Sequence, residues 1–265
     1  MDGRNGSMRI NLHSVYPDAF PEVYGTGKKT VEFYVDYDVF HVEYPIANAI
    51  ALLVEPRAIM PGVYYWMEEN YNNFKYVFTF DSTLLKLPNA KLLIYGQITA
   101  EYPDENKRKD ISMVASDKDG CEGHRTRQWT ASILSDRIDT YGRFNGGPYC
   151  TDREYLAEYK FNVAMENYSD GHYFTEKICN CFASRTVPIY WGCPHIGEYF
   201  NMDGIVYCDR PSDVITAVDM IRKDPLYEYA KRCAAIEDNL RRVQKYRSYA
   251  SLFLETYVDL LEWTI

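Results

Sequence analysis

The sequence predicts an α/β fold, and three stretches carry that expectation. Lys160 to Pro194 (KFNVAMENYSDGHYFTEKICNCFASRTVPIYWGCP) reads as strand, polar loop, helix and strand. Asp110 to Leu134 reads as a second unit of strand, turn and helix. Ala49 to Val54 (AIALLV) is a continuous apolar run with the length of a strand buried on both faces. At 265 residues and 46% hydrophobic composition, the chain suits two modest domains or one large one with a sizeable core. Neither internal repeats nor low-complexity segments interrupt it.

Taken in order, Met1 to Ser7 has no structural pattern and reads as a non-native leader, with Met8 as an alternative start. Met8 to Leu12 alternates like a strand, and Pro17 to Lys29 has loop composition. Asp36 to Val42 is a further candidate strand. Its Asp36-Tyr37-Asp38 triplet has the form that holds a metal and a diphosphate in one class of sugar transferases. A solvated strand edge is the preferred reading. Pro56 ends the Ala49 run, Pro61 opens a short helix to Asn73, and strands follow at Lys75–Phe80 and Lys91–Tyr95. The polar Gly96 to Arg108 stretch is the expected linker, with domains at 8–105 and 106–265.

In the second half, Asp117-Lys118-Asp119-Gly120 is turn chemistry rather than a metal site. Glu122 to Leu134 is its helix, and Ile138 to Gly142 a strand. After a Gly-rich loop come KFNVAMEN as a strand, Thr175 as the N-cap of the next helix, and VPIYWG as a strand stopped by Gly192 and Pro194. Gly204–Cys208 follows as a strand, then helices from Pro211, over Asp224–Tyr246 and over Ser248–Trp263. The cations of the middle helix, Lys231, Arg232, Arg241 and Arg242, read as a solvated face.

Charge and cysteine usage exclude several function classes. A net charge of −9 and a pI near 5.1 argue against nucleic acid, which needs clustered cations. Twenty-five tyrosines fit a protein that handles sugars, though tyrosine is also a common core residue. The seven cysteines are odd in number and irregular in spacing, so they read as reduced thiols in a cytoplasmic protein. No secretory signal or long apolar span is visible in the sequence. No histidine pair has metal-ligand spacing, and all five histidines read as structural or exposed.

Several residues stand where an open α/β sheet binds ligands, beyond the carboxyl ends of its strands. Asn167, Tyr173, Glu176 and Lys177 converge there, with Glu166 and His172 as further candidates. Lys177 lies in a helix's first turn, where a cation is disfavoured by the dipole, so an anion such as a phosphate is its expected partner. Arg127, with Arg125 as the alternative, lies near the start of the Glu122 helix and could also meet an anion. Neither a G-x-G-x-x-G fingerprint nor a P-loop is present. Glu55, at the carboxyl tip of the Ala49 strand, is placed like a general base, unless it pairs with Arg57 instead.

Glu166-Asn167, Tyr173-Phe174-Thr175-Glu176-Lys177, Val187-Pro188 and Gly192-Cys193-Pro194 together resemble the donor-binding signature of the α1,3/4-fucosyltransferases, glycosyltransferase family 10. The likeness covers most of Asp110 to Pro194 and extends to Met8–Gln97 in pattern only. It is closest in type to soluble microbial or viral members. The resemblance implies two Rossmann-like lobes of GT-B type with a cleft between them, and a C-terminal helix packing back on the N-terminal lobe. It implies inverting transfer of fucose from GDP-fucose to a glycan hydroxyl, with Glu55 as base and no essential metal or other cofactor. Arg127, seven residues before Leu134, takes the place of a pyrophosphate-binding arginine. Lys177 shares that charge, Asn167 and Glu176 bind ribose or fucose hydroxyls, and Tyr173 packs beside the pyrophosphate or fucose. Another nucleotide sugar as donor, or a non-catalytic sugar-binding protein on the same fold, are the competing readings.

Overall fold

In the computed structural model, residues 8–14, 29–42 and 49–262 are described. The expected Met1–Ser7 leader and most of the expected Pro17–Lys29 loop lie outside them. The chain forms two compact units: the chain to Tyr95 together with Tyr249 onward, and Gly96–Ser248.

The first unit is built on a five-stranded, wholly parallel sheet in the order β1-β2-β3-β4-β5. Its strands are β1 (Met8–His13), β2 (Lys29–Val35), β3 (Ala49–Leu52), β4 (Tyr76–Thr79) and β5 (Ala90–Leu92). Side chains alternate between faces along each strand, so the apolar runs feed two cores. Ala49, Ala51, Leu53 and Val77 pack against Val63, Tyr64 and Met67 of α1 (Pro61–Asn70). Ile50, Leu52 and Phe78 pack on the other face against Tyr249 and Phe253 of α8 (Tyr249–Glu262). The last helix therefore belongs to the first unit, as expected, and Tyr257 Oη donates to the Leu92 carbonyl at 2.6 Å.

Two expectations fail here for physical reasons. The strand before the Ala49 run is β2, and Asp36 to His41 is a tight 3-10 turn. Nor is Asp36 a solvated edge residue: it is 1% exposed, and its backbone stands at φ +50°, a left-handed position that aspartate tolerates. Its Oδ1 accepts from the amides of Val54 (2.9 Å) and Glu55 (3.3 Å), capping the carboxyl tip of β3. Burial raises its pKa from 3.8 to about 7, against those two amide bonds. The sign follows directly. Between pH 4 and 7 the native state keeps a proton that the unfolded chain releases, so stability falls as pH rises through this window. Asp36→Asn keeps the cap without the charge. Urea unfolding should show the variant gaining on the parent by up to about 4 kcal/mol between pH 4 and pH 8. A pH-independent difference would refute the assignment.

The second unit has the strand order β10-β9-β8-β6-β7, again all parallel. Its strands are β6 (Lys109–Val114), β7 (Asp139–Tyr141), β8 (Tyr159–Met165), β9 (Val187–Trp191) and β10 (Val206–Tyr207). The chain runs outward from β6 to β7, then crosses back to β8, so the order reverses between β6 and β8. That reversal opens a crevice at the carboxyl ends of these two strands. Helices α2 (Glu122–Leu134) and α5 (Pro211–Ile221) cover one face through Ala131, Leu134, Val214 and Val218. Helix α4 (Glu176–Ala183) meets the other, where the Cys181 thiol donates to Asn162 Oδ1 of β8.

The expected linker is not a free connector. Thr99 and Ala100 amides donate to Asn180 Oδ1, and the Tyr102 amide to Ser184 Oγ, so 96–105 is tied into the second unit. A short helix, α3 (Asp152–Leu156), starts on a Thr151–Glu154 capping box. The expected Asp224–Tyr246 helix is two: α6 (Pro225–Ala230) and α7 (Cys233–Val243). Between them the Arg232 guanidinium binds the Glu228 carbonyl at 2.7 Å, satisfying a terminal acceptor. Lys231, Arg232, Arg241 and Arg242 are paired with Glu228 or Asp238. No helix among the described residues is long and apolar enough to cross a membrane.

Candidate active site

The β6/β8 crevice gathers most of the sequence-derived residues, and strand alternation explains how. Beyond Met165, successive β8 residues point to opposite faces. Glu166 turns toward α4, where it is fully buried and accepts from the Thr175 amide (2.9 Å) and hydroxyl (2.8 Å). Asn167 turns toward α2, where its Oδ1 accepts from Arg127 Nη2. Glu166 thereby anchors the start of α4 internally, a different place from the ligand-facing one the sequence allowed.

Thr175 caps α4 and also accepts from Lys177 Nζ at 3.0 Å. The same ammonium lies 3.2 Å from Glu176 and 3.4 Å from Glu166. Burial disfavours its charge, but these carboxylates offset that and hold Lys177 above its ordinary pKa. The cation that suits a helix start badly is thus met by two anions, while its side chain keeps 20% exposure and Glu176 41%. Burial likewise opposes ionisation of Glu176, and Lys177 reverses it, holding the carboxyl below its usual range. Burial also pulls Arg127 down, partly offset by Glu166. Arg127, Lys177, Glu166 and Glu176 form two cations and two anions around one crevice.

Arg125 points elsewhere: it is exposed, and its Nη1 donates to the Asp119 carbonyl at 2.9 Å, bracing the turn before α2. Gln128 also donates to this turn, at Ser116 and Lys118. Tyr173 is buried. Glu55 stands in the first unit, half-buried past β3, its amide on Asp36 and its carbonyl receiving Tyr64 Oη at 2.6 Å. The Arg57 guanidinium is bidentate on Asp81 (2.8 and 2.9 Å) and binds Glu68 (2.7 Å).

Three features were invisible in the sequence. Gly123 lets α2 touch the β8 tip: a Cβ there would stand 2.0 Å from the Asn167 carbonyl oxygen. His124 is 8% exposed, its Nδ1 has no hydrogen-bond partner among the described residues, and burial and Arg127 lower its pKa. The histidines are not scattered either. His172 and His195 lie with ring centroids 5.0 Å apart, joined by loops whose sequence spacing hides the approach. Gly123→Ala must push α2 off β8 and Arg127 off Asn167. We expect a loss of about 1–3 kcal/mol in stability by urea unfolding. An unchanged value would mean the contact is dispensable.

Residues 104–209 match the model of glycosyltransferase family 10 (fucosyltransferase), C-terminal part. The matched segment lies wholly within the second unit. Within the chain, 69 residues are 39% identical to the α-(1,3)-fucosyltransferase FucT of Helicobacter pylori, which is 26% of this chain and 14% of that protein. The chain thus aligns with only a small part of that curated relative. Among solved structures, an α1,3-fucosyltransferase with GDP superposes with a TM-score of 0.60 at 17% identity, over 99% of this chain and 92% of that one. An α1,3-fucosyltransferase with GDP-fucose gives 0.50 at 16%, over 81% and 75%. At these identities the likeness establishes the fold, two parallel-sheet α/β lobes as in GT-B glycosyltransferases. The matched segment contains Arg127, Asn167, Tyr173, Glu176 and Lys177, and it excludes Glu55.

A cavity of about 790 Å³ in the same unit shares no residue with this set. Its Arg210, Lys231 and Arg232 are paired with Asp213 and Glu228, which leaves those cations little call for an added anion.

Proposed function

We propose that the chain is an inverting fucosyltransferase that moves fucose from GDP-fucose to a glycan hydroxyl. The observation that carries this reading is the meeting of Arg127 and Asn167 beside Lys177 and Glu176 at the β6/β8 crevice, within the segment that matches family 10. GDP departs with negative charge building on its diphosphate. Preorganised cations aimed at that charge lower the barrier without reorganisation. Arg127 and Lys177 fill this role. Asn167, whose Oδ1 is held by Arg127, keeps an amide N–H for a sugar hydroxyl, and the half-exposed Glu176 accepts from another. Tyr173 packs beside them. Glu55 removes the acceptor proton as that oxygen attacks.

Because two side-chain cations serve the leaving group, transfer requires no metal, and turnover should persist in EDTA. The seven cysteines, all unpaired, fit a reducing compartment such as the cytoplasm. Calorimetric titration with GDP, GDP-fucose, GDP-mannose and UDP, without divalent metal, tests the donor. Binding of GDP and GDP-fucose, weakened in Lys177→Ala, is the expected result. Binding of UDP alone, or only with metal, would overturn it.

A further inference from the structure

We propose that His172, His195 and Glu198 form a binding site for a divalent transition metal ion of the zinc class, distinct from the donor-binding residues. One ligand atom from each lies within 4.8 Å of the others. The two imidazole planes cross at 70°, and Glu198 Oε1 is 3.8 Å from His195 Nδ1. Tetrahedral zinc, with ligand bonds of about 2.0–2.2 Å, holds its donors roughly 3.3–3.5 Å apart. Side-chain adjustments of about 1 Å close the shell.

The site is built, not merely crowded. His172 Nδ1 is 2.6 Å from the Tyr199 hydroxyl, the kind of outer bond that orients a metal-binding imidazole and leaves Nε2 for the ion. The His195 amide and the Cys193 thiol both donate to the Gly171 carbonyl, at 3.3 and 2.9 Å, fastening one loop to the other. The Glu198 amide donates to the His195 carbonyl at 2.9 Å, a turn that brings these two side chains to one side. His195 and Glu198 are exposed, so an ion has access.

The donor set decides the ion. Two imidazoles and one carboxylate match the three-ligand zinc arrangement with an open fourth position. Magnesium and calcium prefer oxygen alone, and copper(I) prefers thiolates. An ion here would join the loop ahead of α4, which carries Tyr173 and Thr175, to the segment after β9. It is a clamp on that loop and takes no part in bond making, so the inference stands apart from the fucosyl-transfer reading.

The test is titration of the chelator-stripped chain with Co²⁺ and Zn²⁺, with no nucleotide present. We expect one Co²⁺ per chain, visible bands of nitrogen and oxygen ligation, displacement by Zn²⁺, and a Zn²⁺-dependent rise in Tm. His195→Ala and Glu198→Gln should each weaken binding at least tenfold and abolish the rise. Tyr199→Phe should weaken it by about tenfold through the lost outer bond. No binding would overturn the proposal. So would binding unchanged in His195→Ala, or a sulfur-to-cobalt charge-transfer band, which would place the ion on cysteine.

Discussion

Lys177→Ala is expected to lower kcat by about 10²–10³-fold, with a smaller change in the donor KM. The split matters because, in the proposed transfer, the lysine's worth lies in charge that develops as GDP leaves. The magnitude should sit at the upper end for a reason specific to this site. Lys177 lies 3.4 Å from Glu166 and 3.2 Å from Glu176, so its removal leaves two carboxylates answered by Arg127 alone. The crevice then turns net negative, which would oppose the further negative charge that a departing diphosphate gains. Adding Glu176→Gln to Lys177→Ala should recover part of the loss, a coupling that independent sites would not show. The buried Glu166 keeps both Thr175 donors, which preserves the helix start, and circular dichroism checks that. An unchanged kcat would remove Lys177 from the chemistry.

What the sequence made legible, and what it did not, divides along locality. The β8–α4–β9 passage was readable because strand, N-cap and stop signals all lie within a few residues of what they control. Thr175 caps where it should, and Glu122–Leu134 is a helix between its expected ends. Local pattern could not separate Arg125 from Arg127, since both sit early in one helix, and only the family spacing preferred Arg127. At 100° per residue, two positions apart means opposite sides, and only the β8 contact shows which side is inward. Asp36 was misread because its burial depends on β2 lying beside β3 in one register, which brings its carboxylate to the Val54 and Glu55 amides. The approach of His172 to His195 hangs on two loops meeting at Gly171. No periodicity reports such a contact. The place of α8 was legible only through family resemblance: it follows the second unit in sequence and fills an apolar face of the first.

Glu55→Gln is expected to cut transfer by about 10²–10⁴-fold while leaving the affinity for GDP unchanged. The two halves of this expectation rest on different observations. Loss of rate follows if the carboxylate takes the acceptor proton, because an amide of nearly the same shape cannot. Retained affinity follows because the proposed donor residues all belong to the other unit. The substitution also leaves the backbone in place. The Glu55 amide still binds Asp36, its carbonyl still receives Tyr64 Oη, and the side chain alone changes. Asp36→Asn separates base from neighbour. Asp36 holds the strand tip through two amides and raises no proton-transfer demand of its own, so its neutral analogue should keep most of the rate. A Glu55→Gln variant with a normal rate would move the base elsewhere, and one that also lost GDP binding would mean that Glu55 acts on the donor rather than the acceptor.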